Sequence, residues 1–461
     1  MTWFNPEIFR KNDIRGHASR DLTSAFVEAL GRAYGTIVRR AGGQRVVVGR
    51  DSRLSGPRIQ GAFCDGVRKA GIDVLDLGVV PTPLVYFAVH TMSVDGGVSI
   101  TGSHNPKAWN GFKFCLGQAT MFGSQIEEMR VLIEMRDFEE GAGQHARTDL
   151  TDAYISDMGN RLNPLKRPVK VVIDGGNGAG GQLATRLYSA MGCEVVSLFC
   201  EPDGHFPNHH PDPTIEANLS SLKKMVAETA ADIGLALDGD GDRIGAVDAS
   251  GNVIWGDQLL TLFGLALLKE MPGARIIGEV KCSRLMYETL AAAGAKVEMW
   301  KVGHALIKAR MQETGAVLAG EMSGHVFFKD RGLGYDDGLY AGARLIELVG
   351  AGGPSLEAQV QPLRVMASTP EIRIECSDDK KFALCARAAD DFSIRYPVKR
   401  IDGLRIEFEH GWGLLRASNT QPSLVLRFEA ETHEHLRAYQ REVEQWIIDD
   451  GVCTVDHEGD G

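Results

Sequence analysis

The chain has 461 residues, with 50 Lys or Arg and 61 Asp or Glu, so its formal net charge is −11. Apolar residues make up 44% and charged residues 24%, which is the composition of a globular protein with several hydrophobic cores. The acidic balance argues against nucleic acid as a main partner, and the longest apolar run, near 259–268, is too short to cross a membrane.

The cysteines and the first residues bear on the compartment in which the protein works. The eight cysteines contain no CxxC pair, so they indicate neither a zinc knuckle nor a disulfide framework. The chain starts without a basic segment followed by an apolar leader. We therefore expect free thiols and a cytoplasmic protein.

Three successive stretches of the chain share one layout. In each, a short apolar strand and a helix-like segment precede two further strands, and the last strand ends in a polar, glycine-rich loop. This alternation predicts βαβ units with a mostly parallel, helix-covered sheet. Ligands in such sheets collect at the carboxyl ends of the strands, so each loop can supply a different part of one site. The three loops are Thr101–Pro106, Asp238–Arg243 and Gly320–His325.

Segments rich in proline and glycine suggest the domain boundaries. They lie at 162–168, 248–252 and 349–355. The remaining C-terminal piece has a different order: a strand, a helix, several strands, and a long helix over 432–448. That helix is expected to place Leu436, Val443, Trp446 and Ile447 on one face. The sequence thus predicts an α/β protein with three similar mixed-sheet domains, 1–150, 151–252 and 253–364, and a smaller α+β domain, 365–461.

The loop Asp238-Gly-Asp-Gly-Asp-Arg243 carries three carboxylates in five residues. These charges repel one another unless a cation lies among them, and the intervening glycines let the backbone fold tightly around such a cation. Oxygen ligands favour Mg²⁺ or Ca²⁺, but an EF-hand needs a Glu at loop position twelve, where this chain has Ala249. The alternative is a solvated Asp-Gly hairpin turn.

The loop Thr101-Gly-Ser-His-Asn-Pro106 places the hydroxyl of Ser103 directly after an apolar strand. A nearby lysine can lower the pKa of a serine or hold phosphate, and Lys113 lies ten residues further on. Taken alone, the pattern around Ser103 favours an ordinary turn serine, and Lys113 is most simply a strand residue with a solvated ammonium group.

Two later loops have the chemistry of a sugar phosphate site. Glu321, Ser323 and His325 offer a carboxylate, a hydroxyl and an imidazole in five residues, as sugar hydroxyls require. The segment Arg416–Pro422 offers a guanidinium, hydroxyls and an amide, which suit an anion. Both segments can also be plain polar turns.

A glycine-rich segment offers a different interpretation. Gly176, Gly178 and Gly181 fit the GxGxxG pattern between a strand and a helix, and Glu201 follows twenty residues later. This is the layout of a dinucleotide-binding site, and it would make the protein an NAD-binding oxidoreductase. The alternative is a glycine-rich turn that lets another loop pack closely against it.

Together the loops resemble the α-D-phosphohexomutase family, in its bacterial phosphomannomutase/phosphoglucomutase branch. The resemblance extends over nearly the whole chain. It implies four domains around a central cleft. It is carried by Phe9–Gly16, Thr101–Pro106, Asp238–Arg243, Lys301–His304, Gly320–His325 and Arg416–Pro422.

The resemblance implies an isomerase that interconverts hexose 1-phosphate and hexose 6-phosphate, of mannose and glucose, through a phosphoserine at Ser103. A hexose 1,6-bisphosphate would be both the bound intermediate and an activator. Mg²⁺ would be held by Asp238, Asp240, Asp242 and an oxygen on Ser103, where it offsets the charge of the transferring group. Ser103 should then lie within about 10 Å of the three aspartates.

The resemblance also implies roles for the other site residues. Arg15, Lys113 and Arg243 would surround the phosphoserine, and His304 and His325 would move protons or contact substrate. Glu321 and Ser323 would bind two adjacent sugar hydroxyls. The phosphate that does not react would be bound by Lys281, Arg416, Ser418, Asn419 and Thr420.

One position departs from the family pattern, which usually has Tyr where this chain has Asn12. The departure concerns the entrance near Ser103. Met322 favours hexose over hexosamine substrates in family terms. Phosphoglucosamine mutase and a sugar phosphate binding protein without catalysis stay open as alternatives. We expect hexose phosphates as partners, no nucleic acid or membrane, and a monomer or weak dimer.

Overall fold

The first part of the chain folds into a seven-stranded mixed sheet, described here from a computed structural model that covers residues 3–418 and 422–452. Its strands are β1 (Ile14–His17), β2 (Arg45–Arg50), β3 (Asp73–Val79), β4 (Gly96–Ile100), β5 (Trp109–Leu116), β6 (Ala119–Thr120) and β7 (His145–Arg147). Its helices are α1 (Ser24–Arg40), α2 (Gly56–Lys69), α3 (Thr82–Thr91) and α4 (Ser124–Met135), and a short 3₁₀ helix covers Pro6–Ile8.

The strand order of this sheet is β1-β5-β4-β2-β3-β7, with β6 paired to β5. Strands β4, β2, β3 and β7 run parallel, whereas β5 runs antiparallel to both β4 and β1. Val46, Val47 and Val48 of β2 are completely buried, as expected for a central parallel strand with both faces covered. The loop 101–106 therefore lies between β4 and its antiparallel neighbour β5.

The second part repeats this plan in a five-stranded sheet of order β12-β11-β10-β8-β9. Strands β8, β9 and β10 are parallel. Strand β11 pairs antiparallel with β10, and β12 pairs antiparallel with β11. The elements are α5 (Thr151–Asn160), β8 (Lys170–Asp174), α6 (Gly181–Ala190), β9 (Glu194–Leu198), α7 (Ser220–Thr229), β10 (Ile233–Leu237), β11 (Ile244–Asp248) and β12 (Val253–Ile254), with a 3₁₀ helix over Glu216–Leu219.

The turn at 248–252, which suggested a domain boundary, joins the hairpin of β11 and β12. Val253 pairs with Val247 and Ile254 with Ala246, so these two residues still belong to the second sheet. A turn inside a hairpin and a turn between domains have the same residue chemistry, and the sequence does not distinguish them.

The third part contains a parallel strand pair and an antiparallel hairpin. The parallel pair is β13 with β14, and the hairpin is β15 with β16. The elements are α8 (Gly256–Glu270), β13 (Arg275–Glu279), α9 (Arg284–Ala292), β14 (Lys296–Trp300), α10 (His304–Thr314), β15 (Leu318–Gly320), β16 (Val326–Phe328) and α11 (Gly338–Gly350). The loop 320–325 connects β15 to β16, as 101–106 connects β4 to β5 and 238–243 connects β10 to β11.

The C-terminal part is an antiparallel sheet of order β17-β22-β21-β20-β19, with β18 also paired to β22. The predicted face of its long helix is confirmed, since Leu436, Val443 and Ile447 are buried and Trp446 packs against the same core. The elements are α12 (Leu356–Val360), β17 (Ala367–Ser368), β18 (Ile372–Glu375), α13 (Lys381–Ser393), β19 (Val398–Lys399), β20 (Leu404–Phe408), β21 (Gly411–Ala417), β22 (Ser423–Ala430) and α14 (His433–Asp450), with a 3₁₀ helix over Gln361–Arg364.

By their contacts, the described residues form two compact units. The first contains the residues up to 259 together with 303–357, and the second contains 260–302 together with the residues from 358 onward. The predicted α/β architecture with mixed sheets is confirmed. Within the described residues, every helix is too short or too polar to cross a lipid bilayer.

Candidate active site

The loops that follow β4 and β10 meet at Ser103 in the first unit. Ser103 is 2% exposed, and its hydroxyl donates a hydrogen bond to Asp238 Oδ2 at 2.7 Å. The expectation that Ser103 lies within 10 Å of the aspartates is confirmed by this contact. Residues separated by 135 positions in the chain thus form one buried site.

Arg53 holds the serine loop in place. Its fully buried guanidinium pairs with Asp51 and donates to the carbonyl oxygens of Ser103 at 2.8 Å and Asn105 at 2.5 Å. Further bonds reach the carbonyls of Pro106 and Trp109. Ser103 has a φ of +47°, a left-handed conformation that costs free energy in a residue other than glycine. The arginine bonds stabilise the loop that carries this conformation.

Two groups near Ser103 were not predicted from the sequence. Arg53 and its partner Asp51 lie just after β2, and the location of Asp51 at the carboxyl end of a strand is the only sequence signal for either residue. His104 belonged to a recognised loop but was given no role, although its Nδ1 lies 3.1 Å from Ser103 Oγ. Burial and the nearby Arg243 lower the pKa of His104 well below its ordinary value, which keeps this imidazole neutral.

The three aspartates of the loop 238–243 are completely buried, and their ligand atoms lie within 4.8 Å of one another. This burial excludes a solvated hairpin turn. Burial, together with the charges of Asp240 and Asp242, raises the pKa of Asp238 well above its ordinary value. The site therefore has an excess of negative charge that needs a cation.

Lys113 provides part of that positive charge. Its ammonium group donates to Asp240 Oδ2 at 2.7 Å and makes a second bond to Asp242 Oδ2. Burial acts to lower the pKa of Lys113, but the two carboxylates outweigh it and raise the pKa above its ordinary value. Lys113 is therefore a fixed cation, and it is 4% exposed rather than solvated.

The aspartate cluster could hold a divalent cation. Among the described residues, Asp240 Oδ1 and Asp242 Oδ1 are buried without a hydrogen-bond partner, which is costly for a carboxylate oxygen. An ion coordinated by these two oxygens would satisfy both. Oxygen donors of this kind suit Mg²⁺, which usually keeps open positions for water or phosphate.

The loop 320–325 brings a second polar group into the same unit. His325 Nδ1 lies 2.8 Å from Ser323 Oγ and 3.0 Å from Glu321 Oε2, and its Nε2 lies 3.4 Å from Asp242 Oδ1. Burial acts to lower the pKa of His325, but the charge of Asp242 outweighs it and raises the pKa to about 9. The predicted sugar-binding loop is thus directly beside the aspartate cluster.

His304, at the start of α10, lies parallel to His325 with 5.8 Å between the ring centroids. Burial and the neighbouring Lys308 lower the pKa of His304 well below its ordinary value. The two histidines therefore differ in charge at neutral pH: His304 is neutral and His325 is protonated. A neutral ring can accept a proton and a protonated ring can donate one.

Arg243, one of the two predicted arginines of this unit, lies beside the cluster. Arg243 Nε is 3.9 Å from Asp238 Oδ2 and 3.4 Å from His325 Nε2. Arg15 lies on β1, which pairs with β5, and its Nε donates to Asp13 Oδ2 at 2.6 Å. Arg15 is thus on the strand next to the one that carries Lys113.

The predicted phosphate-binding residues belong to the second unit. Lys281 Nζ lies 2.9 Å from Glu371 Oε2, and Arg416 makes two bonds to Asp402 Oδ2, from Nη2 at 3.1 Å and Nε at 3.2 Å. Lys281 lowers the pKa of Glu371 to about 2. Ser418 is buried, whereas Asn419 and Thr420 lie outside the described residues.

Buried side chains from the C-terminal strands hold the segment that carries Lys281. Arg405 donates to the carbonyls of Val280 and Cys282, at 2.7 and 2.8 Å, and its guanidinium stacks 3.8 Å from the ring of Trp412. Arg427 makes a further bond to the carbonyl of Lys281. The backbone on both sides of Lys281 is therefore fixed to the sheet that carries Arg416.

The glycine-rich segment 176–181 packs against the aspartate loop. A Cβ atom on Gly178 would lie 2.7 Å from the carbonyl oxygen of Gly239, and the Ala179 amide donates to that same oxygen at 3.0 Å. In a dinucleotide site this glycine would instead leave space for a pyrophosphate. The structure therefore favours close packing over the NAD-binding interpretation.

The first unit contains a phosphoryl-transfer site on a mixed α/β fold. The site combines a hydroxyl nucleophile, an acidic cluster that can bind a cation, and a loop with groups that suit sugar hydroxyls. Comparison with known proteins agrees with this class. Family models described as phosphoglucomutase/phosphomannomutase alpha/beta/alpha domains I, II and III match residues 6–139, 152–251 and 255–365, and the C-terminal domain model matches 371–445.

Relatives of similar length share this match. A phosphomannomutase/phosphoglucomutase of Pseudomonas aeruginosa is 44% identical over 430 residues, covering 93% of each chain. A phosphoglucomutase of Neisseria gonorrhoeae is 44% identical over 445 residues, covering 95% of this chain and 96% of its own. A crystal structure of a family protein from Burkholderia thailandensis has a TM-score of 0.89 at 45% identity, covering 96% of this chain and 97% of its own. The chain belongs to the phosphoglucomutase/phosphomannomutase family, and it is a hexose phosphate mutase, an isomerase that acts by phosphoryl transfer.

Proposed function

We propose that this protein interconverts the 1-phosphate and 6-phosphate of glucose and mannose through a phosphoserine at Ser103. A hexose 1,6-bisphosphate is the bound intermediate and, when added, the activator that phosphorylates the serine. The observation that supports this most is the 2.7 Å contact of the Ser103 hydroxyl with a buried aspartate trio in a member of the mutase family.

The residues around Ser103 divide the work of phosphoryl transfer. Ser103 carries the phosphoryl group, and Arg53 fixes its backbone for the approach of a sugar hydroxyl. Asp238, Asp240 and Asp242 would hold Mg²⁺, which offsets charge on the transferring group when it is bound. Lys113 and Arg243 add fixed positive charge next to the same group, and we assign the same role to Arg15 on β1.

Proton transfer is assigned by the charges of the two histidines. The attacking sugar hydroxyl must lose a proton, and neutral His304 is able to accept it. His325 is protonated, so it can donate a hydrogen bond to substrate while Glu321 and Ser323 bind adjacent sugar hydroxyls. Lys113 acts through its charge, because its raised pKa keeps its proton in place.

The phosphate that does not react would be bound by the second unit. Lys281 and Arg416 are cations with small exposure, each paired with a carboxylate that an anion can replace. Ser418, Asn419 and Thr420 complete this group of residues in our proposal. The bisphosphate intermediate must reorient between the two transfers. The same residues would therefore bind either of its phosphates in turn.

The cysteines support a reducing location. All seven cysteines among the described residues are free thiols, as expected in the cytoplasm, where we propose that the enzyme works.

Replacement of the serine tests the proposal. Ser103→Ala should lose nearly all conversion of glucose 1-phosphate and mannose 1-phosphate, while the protein still folds and unfolds cooperatively. The matched control is Ser52→Ala, which removes a hydroxyl of a neighbouring loop; this hydroxyl donates to the Asn177 carbonyl at 3.1 Å. Glucosamine 6-phosphate, assayed alongside, should be converted poorly. Full activity in Ser103→Ala would refute the phosphoserine mechanism, and preferred conversion of glucosamine 6-phosphate would refute the substrate class.

A further inference from the structure

We propose that His304, His325, Asp242 and Asp336 form a second cation site, next to the aspartate trio, that takes Zn²⁺ or a transition metal of similar preference. The four side chains are each at least nine-tenths buried. Asp242, His325 and Asp336 have ligand atoms within 4.8 Å of one another. The proposal concerns binding of a metal ion, and it stands independently of the catalytic roles proposed above.

Unsatisfied donor atoms point to a ligand at this place. Within the described residues, Asp242 Oδ1, Asp336 Oδ2 and both ring nitrogens of His304 are buried without a hydrogen-bond partner. Buried carboxylate and imidazole atoms of this kind are costly unless something binds them. A single ion among these atoms would satisfy one atom of each of the three residues.

The spacing of the atoms fits a small metal ion. Zn²⁺ bonds of about 2.0–2.1 Å to nitrogen and oxygen place tetrahedral ligand atoms about 3.3 Å apart. His325 Nε2 lies 3.4 Å from Asp242 Oδ1 and 3.9 Å from Asp336 Oδ2, and His304 Nδ1 lies 3.6 Å from Asp336 Oδ2. Contraction by a few tenths of an ångström would bring these three separations to coordination distances.

For His325, Asp336 and Asp242, the atom opposite the proposed ligand atom is already bound. His325 Nδ1 contacts Glu321 Oε2 at 3.0 Å and Ser323 Oγ at 2.8 Å, the arrangement that leaves Nε2 for a metal. Asp336 Oδ1 accepts a bond from Lys308 Nζ at 2.8 Å, and Asp242 Oδ2 accepts one from Lys113 Nζ. These outer partners hold the ligand atoms in place and orient them toward one another.

The ligand set distinguishes this site from the neighbouring aspartate trio. Two imidazoles with two carboxylates favour Zn²⁺, Co²⁺ or Ni²⁺, whereas a set of carboxylates alone favours Mg²⁺. Asp242 belongs to both groups, so its Oδ1 would bridge the two ions when both are bound. Lys113, Lys308 and Arg243 oppose an added cation. When a metal binds, Arg243 Nε, at 3.4 Å from His325 Nε2, must move away and His325 must release the proton of its Nε2.

The proposed site has a consequence for turnover that does rest on the proposed function. A metal on His304 and His325 would occupy the two imidazoles assigned to substrate and would restrain the loop that carries Glu321. Zn²⁺ should therefore inhibit the enzyme at saturating Mg²⁺. Metal binding itself needs no turnover, so the two proposals can fail separately.

Titration of the full chain with Co²⁺ in excess Mg²⁺ tests the site, because tetrahedral Co²⁺ absorbs visible light. We expect one such band, with binding about 100-fold weaker in Asp336→Asn and in His304→Gln. The matched control is Asp240→Asn, which removes a trio carboxylate outside this group and should keep the band. Absence of the band in the wild type would overturn the proposal. A band that Asp336→Asn leaves unchanged, but that is removed by excess Mg²⁺ or by Asp240→Asn, would also overturn it. The Co²⁺ ion would then lie in the aspartate trio.

Unfolding temperatures check that the variants fold. Because two different ligand residues are replaced, misfolding of one variant leaves the other as the test. A zinc-edge anomalous difference map of the wild type would provide the position directly. A peak among the four side chains supports the proposal, and a peak only at the three aspartates or at surface histidines contradicts it.

Discussion

The aspartate cluster of the first unit and the Lys281–Arg416 group of the second unit carry opposite charges, yet each is neutralised in the same way. In the cluster, the Lys113 ammonium pairs with buried carboxylates. In the second group, Glu371 and Asp402 pair with the two cations. In both places the protein supplies the charge that a metal ion or a phosphate would supply.

This comparison shows how a strongly charged site can fold before it binds anything. Uncompensated buried charges cost several kcal/mol each, so a site made only of aspartates or only of basic residues would oppose folding. Pairing each group with an internal counter-charge removes most of that cost. Binding then becomes an exchange of partners, and the two regions differ mainly in burial, which is complete for the aspartates and partial for Glu371.

Lys113→Met should have the largest effect on stability, because it removes the ammonium group that the buried carboxylates of Asp240 and Asp242 share. We expect a loss of about 3–5 kcal/mol in the free energy of unfolding without divalent metal. Mg²⁺ should restore part of the loss and should bind more tightly than to the wild type. Denaturant unfolding with and without Mg²⁺ measures both effects.

The control for Lys113 is Lys69→Met, which removes an exposed lysine paired with Glu28 at 2.6 Å. Surface pairs contribute up to about 1 kcal/mol, so this variant should be nearly unchanged and insensitive to Mg²⁺. Equal losses in the two variants would show that Lys113 does not compensate the aspartates.

Arg53→Lys should have the next largest effect. Lysine keeps the charge but cannot contact four carbonyls with a rigid fork, so we expect a loss of about 3 kcal/mol and a large fall in kcat. Arg58→Lys is the control, since Arg58 also bonds backbone carbonyls, those of Leu22 and Ala18, but is exposed. If Arg53→Lys keeps wild-type kcat, the proposed positioning of Ser103 is wrong.

Glu371→Gln should have the smallest effect, and it should depend on pH. A pKa of about 2 instead of the ordinary 4.5 corresponds to at most about 3 kcal/mol in the free energy of unfolding. Because the side chain is 29% exposed, we expect a loss of about 2 kcal/mol. Since the folded-state pKa is lowered, the carboxylate stabilises the protein above pH 4.5, and this stability is lost as the pH falls toward 2.

Unfolding measured at pH 7 and at pH 3 tests this dependence. The difference in the free energy of unfolding between wild type and Glu371→Gln should shrink at pH 3. The control is Glu288→Gln, since Glu288 is exposed and pairs with Arg284 in the same unit; it should differ little from wild type at either pH. A difference for Glu371→Gln that is the same at both pH values would contradict the ion pair with Lys281.

The sequence predicted the elements that depend on local patterns. Apolar strands followed by polar glycine loops indicated Ser103, the aspartates and Glu321, and the spacing in α14 indicated its buried face. These features are readable because strand and helix periodicity is local. The meeting of Ser103 with Asp238 needed the family resemblance, since contacts 135 residues apart leave no mark in a single sequence.

The residues that were missed act through contacts of another kind. Arg53 bonds carbonyl oxygens about fifty residues away, and any residue type offers such an oxygen, so no pattern marks the partners. Asp336 precedes Asp337, whose side chain caps α11, and the pair looks like an ordinary helix start. The left-handed conformation of Ser103 likewise follows from packing and not from its residue type.

The mass of the intact chain is the most direct test of the phosphoserine at Ser103. After incubation with glucose 1,6-bisphosphate and Mg²⁺, the wild type should gain about 80 Da, mapped by peptide analysis to Ser103, and the Ser103→Ala protein should gain nothing. An unmodified wild-type chain that still converts glucose 1-phosphate, or a phosphate mapped to another residue, would contradict the account.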